Sequence, residues 1–147
     1  MHKARLAVLL SGDGSNLQAL IDATQNGIIN AEIVLVVSNK FDAGGLKRAQ
    51  KSGIENILLD NLRYADRRSF DCVLESKLKK YNLDLIILAG FMRILTSDFV
   101  DAFAGRILNI HPSLLPEYRG LHTHQKALDA GDKNAGATVH FVTCLAR

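Results

Sequence analysis

The chain has 147 residues, of which 48% are hydrophobic and 22% charged, with a formal net charge of +3. This length suits one domain with a real core, and no apolar run reaches the roughly 18 residues of a membrane helix. Because the basic residues are scattered and only 6% of residues are aromatic, we expect small anionic ligands rather than nucleic acid or membrane partners. We therefore predict a single cytoplasmic domain over residues 1–147.

Short apolar segments alternate with amphipathic segments along the chain. The apolar segments are rich in Val, Ile and Leu and are bounded by Gly, Asn, Asp or Pro, which is typical of buried strands. The predicted strands are "RLAVLLS", "AEIVLVVSN", "ENILLD", "DLIILAG", "RILNI" and "GATVHFV". The predicted helices are "SNLQALIDATQNG", "GGLKRAQKSG", "RRSFDCVLESKLKKY" and "SDFVDAFAG". This alternation predicts an α/β fold with an open, mostly parallel, doubly wound sheet that binds ligands at the carboxyl ends of its strands.

The motif "SGDGSNLQ" follows the first predicted strand and leads into a predicted helix. The free amides and the dipole of a helix N-terminus favour an anion. A dinucleotide fingerprint would need glycine at Leu17, and an acid where Ser38 and Asn39 stand, so a single phosphate group fits better than NAD. The alternative is a glycine turn in which Ser15 or Asn16 caps the helix.

The stretch "RILNIHPSLLPEYRGLHTHQ" contains both prolines of the chain. Asn109 and His111 are two residues apart at a strand end, so their side chains leave one face while Ile110 points to the other. The prolines would fix this pair in place, and we expect a cis bond between Leu115 and Pro116. The alternative is an ordinary loop histidine beside a turn.

The two cysteines, Cys72 and Cys144, are far apart, which argues against a disulfide framework and a zinc ribbon. We expect both thiols to be buried or idle. We also expect no metal, although several side chains leave a metal site as an alternative. Those side chains are His111, His122, His124, His140 and Cys144.

Taken together, these motifs make the sequence resemble the glycinamide ribonucleotide formyltransferases, the folate-dependent enzymes of purine synthesis. The matching motifs are "SGDGSNLQ", "VVSNK", "LAGFMRIL", "LNIHPSLLP" and "YRGLHTH". The resemblance implies transfer of a formyl group from the co-substrate 10-formyltetrahydrofolate to the amine of glycinamide ribonucleotide. It implies that Gly14, Ser15 and Asn16 hold the phosphate, and that Asn109 and His111 are catalytic. It implies a folate site bordered by Arg67, Met92, Arg93, Ile94, Leu95 and Asn109.

The family's third catalytic group is an aspartate in a Leu-Asp-Gly-Gly motif after "HFVT". That aspartate aligns with Arg147 of this sequence. The family's further C-terminal strands and helix are not in this sequence. From these differences we expect weak ligand binding, slow or absent transfer, an outer last strand, and a monomer or weak homodimer. The open alternatives are a non-catalytic ligand-binding module, a formyltetrahydrofolate deformylase and a methionyl-tRNA formyltransferase.

Overall fold

A computed structural model describes residues 2–111 and 138–143 of the chain. Several predictions fall outside these residues, namely the cis bond at Leu115–Pro116, the roles of His122 and His124, and those of Cys144 and Arg147.

Within the described residues, strands and helices alternate as the apolar pattern predicts. The strands are β1 (Ala4–Leu10), β2 (Ala31–Ser38), β3 (Asn56–Leu58), β4 (Leu85–Ala89), β5 (Ile107–His111) and β6 (Thr138–Phe141). The helices are α1 (Ser15–Gln25), α2 (Gly44–Lys51), α3 (Arg67–Leu78) and α4 (Ser97–Ala102). Short 3-10 turns cover Asn61–Arg63 and Lys79–Tyr81. The predicted segments are confirmed, with ends that differ by a few residues.

The strands form one open sheet in the order β3-β2-β1-β4-β5-β6. The first five strands are parallel, as predicted, and β6 runs antiparallel to β5. The chain builds outward from β1 to β3 and then crosses back to place β4 on the other side of β1. This reversal makes the β1/β4 boundary the switch point of the sheet, where α/β proteins open a crevice for ligands.

Two apolar clusters cover the two faces of the sheet. On one face, Phe70 and Leu74 of α3 and Phe99 of α4 pack against the strands. On the other face, Leu17 and Ile21 of α1 lie against the strands together with residues of α2. Because both faces are covered, the central strands are continuous apolar runs rather than alternating ones.

Cys72 lies on α3 between core positions and is exposed. Of the two outcomes expected for this thiol, buried or idle, burial is wrong, because Phe70 and Leu74 define the buried stripe of α3 and Cys72 lies off that stripe. Among the described helices, none is both long and apolar enough to cross a membrane.

Candidate active site

Three chain segments meet at the carboxyl edge of the sheet. The glycine loop (residues 11–14) follows β1, the 90–95 segment follows β4, and β5 ends at His111. Because β1, β4 and β5 are adjacent and parallel, their carboxyl ends lie at the same edge. The predicted convergence of these segments is confirmed for the backbone.

The glycine loop ends in a left-handed residue that starts α1. Gly14 has φ 84° and is the N-cap, and no side chain caps this helix end. A Cβ at Gly14 would lie 2.7 Å from Cα of Gly45, so the close approach of α2 to the loop requires glycine. Ser15 and Asn16 are exposed on the first turn of α1. The alternative in which either side chain caps α1 is therefore wrong, and the helix terminus keeps the free amides that an anion needs.

Helix α2 holds the glycine loop from outside. Arg48 donates from Nε to the Asp13 carbonyl oxygen at 2.8 Å and from Nη2 to Asp13 Oδ2 at 2.7 Å. The amide of Gly45 donates to the carbonyl oxygen of Gly12 at 3.1 Å. These bonds fix Gly12 and Asp13 from the side of α2, whereas Ser11 at the start of the loop bonds to the 90–95 segment.

The 90–95 segment exposes two apolar residues at the edge of the sheet. Met92 and Ile94 are 49% and 62% exposed, whereas Leu95 is buried in the core. The amide of Thr96 donates to Oδ2 of the buried Asp71 at 2.7 Å, which anchors the end of the segment. The segment is thus fixed at its far end, and Met92 and Ile94 are exposed along its middle.

A chain of polar side chains lies beneath this segment, contributed by the ends of β1, β2 and β3. Ser11 Oγ accepts from the Met92 amide at 2.8 Å and donates to Asn39 Oδ1 at 2.5 Å. Asn39 Nδ2 donates to Asn61 Oδ1 at 3.0 Å. Arg93 Nη1 donates to the same oxygen at 3.1 Å. We refer to Ser11, Asn39 and Asn61 as the polar relay.

The guanidinium of Arg93 lies over the ring of Phe70, with 4.0 Å between Cζ and the ring centroid. Burial lowers the pKa of Arg93, Asp71 opposes this shift, and the nearby positive charge of Arg67 adds to it. Arg67 is exposed at the first residue of α3. Arg93 and Arg67 thus contribute positive charge beside the 90–95 segment, and the carboxylate of Asp71 opposes part of it.

Asn109 is half-buried on β5, between Leu88 of β4 and His140 of β6 in the sheet register. Residues directly opposite in an antiparallel pair share a face, so the side chains of Asn109 and His140 leave the sheet on the same side. Ile110 packs on the other face, as predicted. The backbone of His111 pairs with Thr138 at the end of β5.

Sequence reasoning missed part of this arrangement. It considered His140 only as a possible metal ligand, and in the described ranges no group of three or more His, Cys, Asp or Glu side chains could hold a metal. It did not single out Ser11 or Asn61, and it used Asn39 only as evidence against a dinucleotide site and within the matching stretch "VVSNK". The available signal was that Ser11, Asn39 and Asn61 each follow a strand directly or within a few residues.

A separate groove of about 740 Å³ lies at the amino ends of the strands. It is open to solvent and its lining mixes the cations Lys3 and Arg5 with the anions Glu32 and Glu55. It lies at the opposite edge from the three converging segments, and its mixed charges select no single class of ligand.

The fold and the site define an α/β protein of the class in which ligands bind at the carboxyl ends of parallel strands, with a free helix N-terminus after β1 and two arginines near the 90–95 segment. Residues 4–144 match the model of the formyl transferase family. The chain belongs to the formyl transferase family.

Several relatives are similar over nearly the whole chain. It is 52% identical over 143 residues to the trifunctional purine biosynthetic protein adenosine-3 of Drosophila melanogaster, covering 96% of this chain and 11% of that protein. It is 51% identical over 138 residues to phosphoribosylglycinamide formyltransferase of Escherichia coli (strain K12), covering 94% of this chain and 65% of that protein. The chain thus spans less than two thirds of the length of both curated relatives.

Solved structures share the fold closely. Glycinamide ribonucleotide transformylase 1 from Symbiobacterium toebii superposes with a TM-score of 0.91 at 46% identity, covering 97% of this chain and 67% of that chain. Phosphoribosylglycinamide formyltransferase from Brucella melitensis superposes with a TM-score of 0.90 at 47% identity, covering 97% of this chain and 74% of that chain. These matches confirm the predicted family and the mostly parallel open sheet.

Proposed function

We propose that this protein transfers the formyl group of 10-formyltetrahydrofolate to the amine of glycinamide ribonucleotide in de novo purine synthesis. The observation that carries the proposal is the meeting of an uncapped helix N-terminus, the 90–95 segment and Asn109 at one sheet edge, in a chain about half identical to enzymes named for this reaction. The phosphate of the ribonucleotide would bind at Gly14, Ser15 and Asn16. The formyl-folate would bind along residues 92–95, near Arg67 and Asn109.

In the proposed reaction the amine nitrogen attacks the formyl carbon and forms a tetrahedral intermediate with a negatively charged oxygen. Donors preorganised around that oxygen lower the barrier. We assign this role to the Asn109 amide and to a protonated imidazole at His111, which also offsets the charge. The bond from the formyl carbon to N10 of the folate then breaks, and N10 gains one proton while the amine loses one.

This chain departs from its family at the acceptor of the amine proton. The family's aspartate aligns with Arg147, and a guanidinium carries only donors. A general base contributes about 10² to 10⁴ in rate, so we propose slow transfer by this chain. The same substitution favours a second candidate function, a module that binds both ligands without transfer. A cytoplasmic location and a monomer or weak homodimer stay predictions from the sequence.

One experiment separates these functions. The protein is mixed with 10-formyltetrahydrofolate and glycinamide ribonucleotide, and formylated ribonucleotide and free formate are both measured by mass spectrometry. We expect formylated ribonucleotide, and we expect much less of it from Asn109→Ala. Formate as the product would indicate a deformylase instead. Binding of both ligands by calorimetry with neither product would support the ligand-binding module.

A further inference from the structure

We infer that the polar relay of Ser11, Asn39 and Asn61 positions the 90–95 segment for the formyl-folate co-substrate. The inference rests on the proposed function, because it concerns the segment that borders the proposed folate site. None of the three side chains needs to touch a substrate. They act through Met92 and Arg93, whose backbone and side chain they hold.

Ser11 holds the backbone of the segment at Met92. The Ser11 hydroxyl accepts from the Met92 amide at 2.8 Å, and the Ser11 amide donates to the Gly90 carbonyl oxygen at 3.0 Å. The hydroxyl also donates to Asn39 Oδ1, which fixes its orientation toward Met92. Ser11 and Asn39 are only 6% and 2% exposed, so water cannot readily replace a lost bond.

Asn61 holds the side chain of Arg93. Asn61 Oδ1 accepts from Arg93 Nη1 and from Asn39 Nδ2, so one oxygen joins the guanidinium to the relay. The hydrogen bonds therefore start at the Met92 amide and return to the next residue, Arg93. This connected set of hydrogen bonds fixes both the position of the segment and the orientation of the Arg93 guanidinium.

The relay supports the proposed folate site more than the proposed phosphate site. Residues 12–14 of the glycine loop have their own anchors in Arg48 and Gly45, and these bonds use no side chain of the relay. The bond from the Ser11 amide to Gly90 is made by the backbone and survives substitution of the side chain. Removal of the Ser11 hydroxyl should therefore loosen Met92 and leave the ribonucleotide loop in place.

The first test compares KM for the two substrates in four variants. Ser11→Ala and Asn61→Leu should raise KM for 10-formyltetrahydrofolate about fivefold to tenfold and change KM for glycinamide ribonucleotide by less than about twofold. Asn61→Asp keeps the acceptor oxygen and should restore a KM near that of the wild type. The control is Asn56→Ala, since Asn56 is also half-buried but bonds Ile54 and Gln50 at the other end of β3. It should change neither KM.

The second test needs no substrate. Hydrogen exchange at the Met92 amide, followed by NMR, should be about fivefold to tenfold faster in Ser11→Ala and unchanged in Asn56→Ala. Equal increases of both KM values in Ser11→Ala, or unchanged protection of Met92, would overturn the inference. A wild-type protein that neither binds nor uses formyl-folate would overturn the proposed function, and the exchange rates would then still report whether the relay holds the segment.

Discussion

Different side chains at the sheet edge are proposed to bind the two ligands. Ser15 and Asn16 are exposed at the start of α1, and Arg67 is exposed at the start of α3, so their substitution should not disturb the core. We expect Ser15→Ala with Asn16→Ala to weaken glycinamide ribonucleotide binding about tenfold, because charge-assisted hydrogen bonds to phosphate are lost, and to leave formyl-folate binding nearly unchanged. We expect Arg67→Ala to do the reverse. Titration calorimetry with each ligand measures both effects, and equal losses for both ligands would contradict the division.

Asn109 is the described residue to which we assign chemistry. Asn109→Ala removes one donor to the developing oxyanion, and such a loss typically lowers kcat by about 10² to 10³. We expect that decrease with binding of both substrates within about threefold of the wild type. Asn56→Ala is the matched control, because it removes a half-buried amide far from this edge. A proportional fall in binding and kcat would show that Asn109 holds substrate rather than the transition state.

At the scale of elements, the junction of the glycine loop with α1 and α2 depends on backbone shape. Gly14→Ala places a Cβ at positive φ and 2.7 Å from Cα of Gly45, so both strain and a backbone clash oppose folding. We expect a loss of about 2 to 4 kcal/mol in the free energy of unfolding, measured by urea titration. Gly27→Ala is the control, since Gly27 has φ 75° but a Cβ there would meet nothing within 4 Å. Its loss should be about 1 kcal/mol, and equal losses in the two variants would rule out the close packing of Gly14 on Gly45.

Helix α3 begins at an aspartate whose charge makes its cap dependent on pH. Ser69 N donates to Asp66 Oδ1 at 2.8 Å, and this hydrogen bond is the main cause that lowers the pKa of Asp66 below its ordinary value of 3.8. A lowered folded pKa means that ionised Asp66 stabilises the fold above pH 3.8 and that this stability is lost as pH falls through the folded pKa. Asp66→Asn keeps the acceptor without the titration. Its stability difference from the wild type, measured by urea unfolding, should therefore be constant near neutral pH and shrink below pH 3.8. A difference that stays constant in acid would contradict the assigned cap.

The elements were predictable because their signals are local. Continuous apolar runs mark β1 and β4, and the apolar spacing of Phe70, Leu74 and Leu78 marks the buried stripe of α3. The polar relay was not predictable from the same signals. Its members are far apart in sequence, and they meet only because the strand order places β3, β2, β1 and β4 side by side. The placement of α1's cap on Gly14 was likewise hidden, because Ser15 and Asn16 are favoured capping residues and nothing local reveals the approach of Gly45.

At the scale of the whole molecule, one core residue connects the packing to the site. Phe70 is fully buried in the cluster under α3 and α4, and its ring also contacts Tyr64 edge-on, with 5.5 Å between ring centroids. The face of that ring supports the guanidinium of Arg93. The orientation of the Arg93 side chain thus depends on a ring that the core fixes and on the polar relay.

This connection predicts different outcomes for two similar core substitutions. Phe70→Leu and Phe99→Leu each shrink a fully buried ring of the same cluster, so each should lower the free energy of unfolding by about 1 to 2 kcal/mol in urea titrations. Phe70→Leu also removes the cation–π contact to Arg93, worth about 0.5 to 2 kcal/mol, and should raise KM for 10-formyltetrahydrofolate about threefold to tenfold. Phe99 packs against Phe103 and has no described contact with Arg93, so Phe99→Leu should leave that KM near the wild-type value. If both variants raised KM in proportion to their loss of stability, general loosening of the core would explain the effect and the specific link through Phe70 would be wrong.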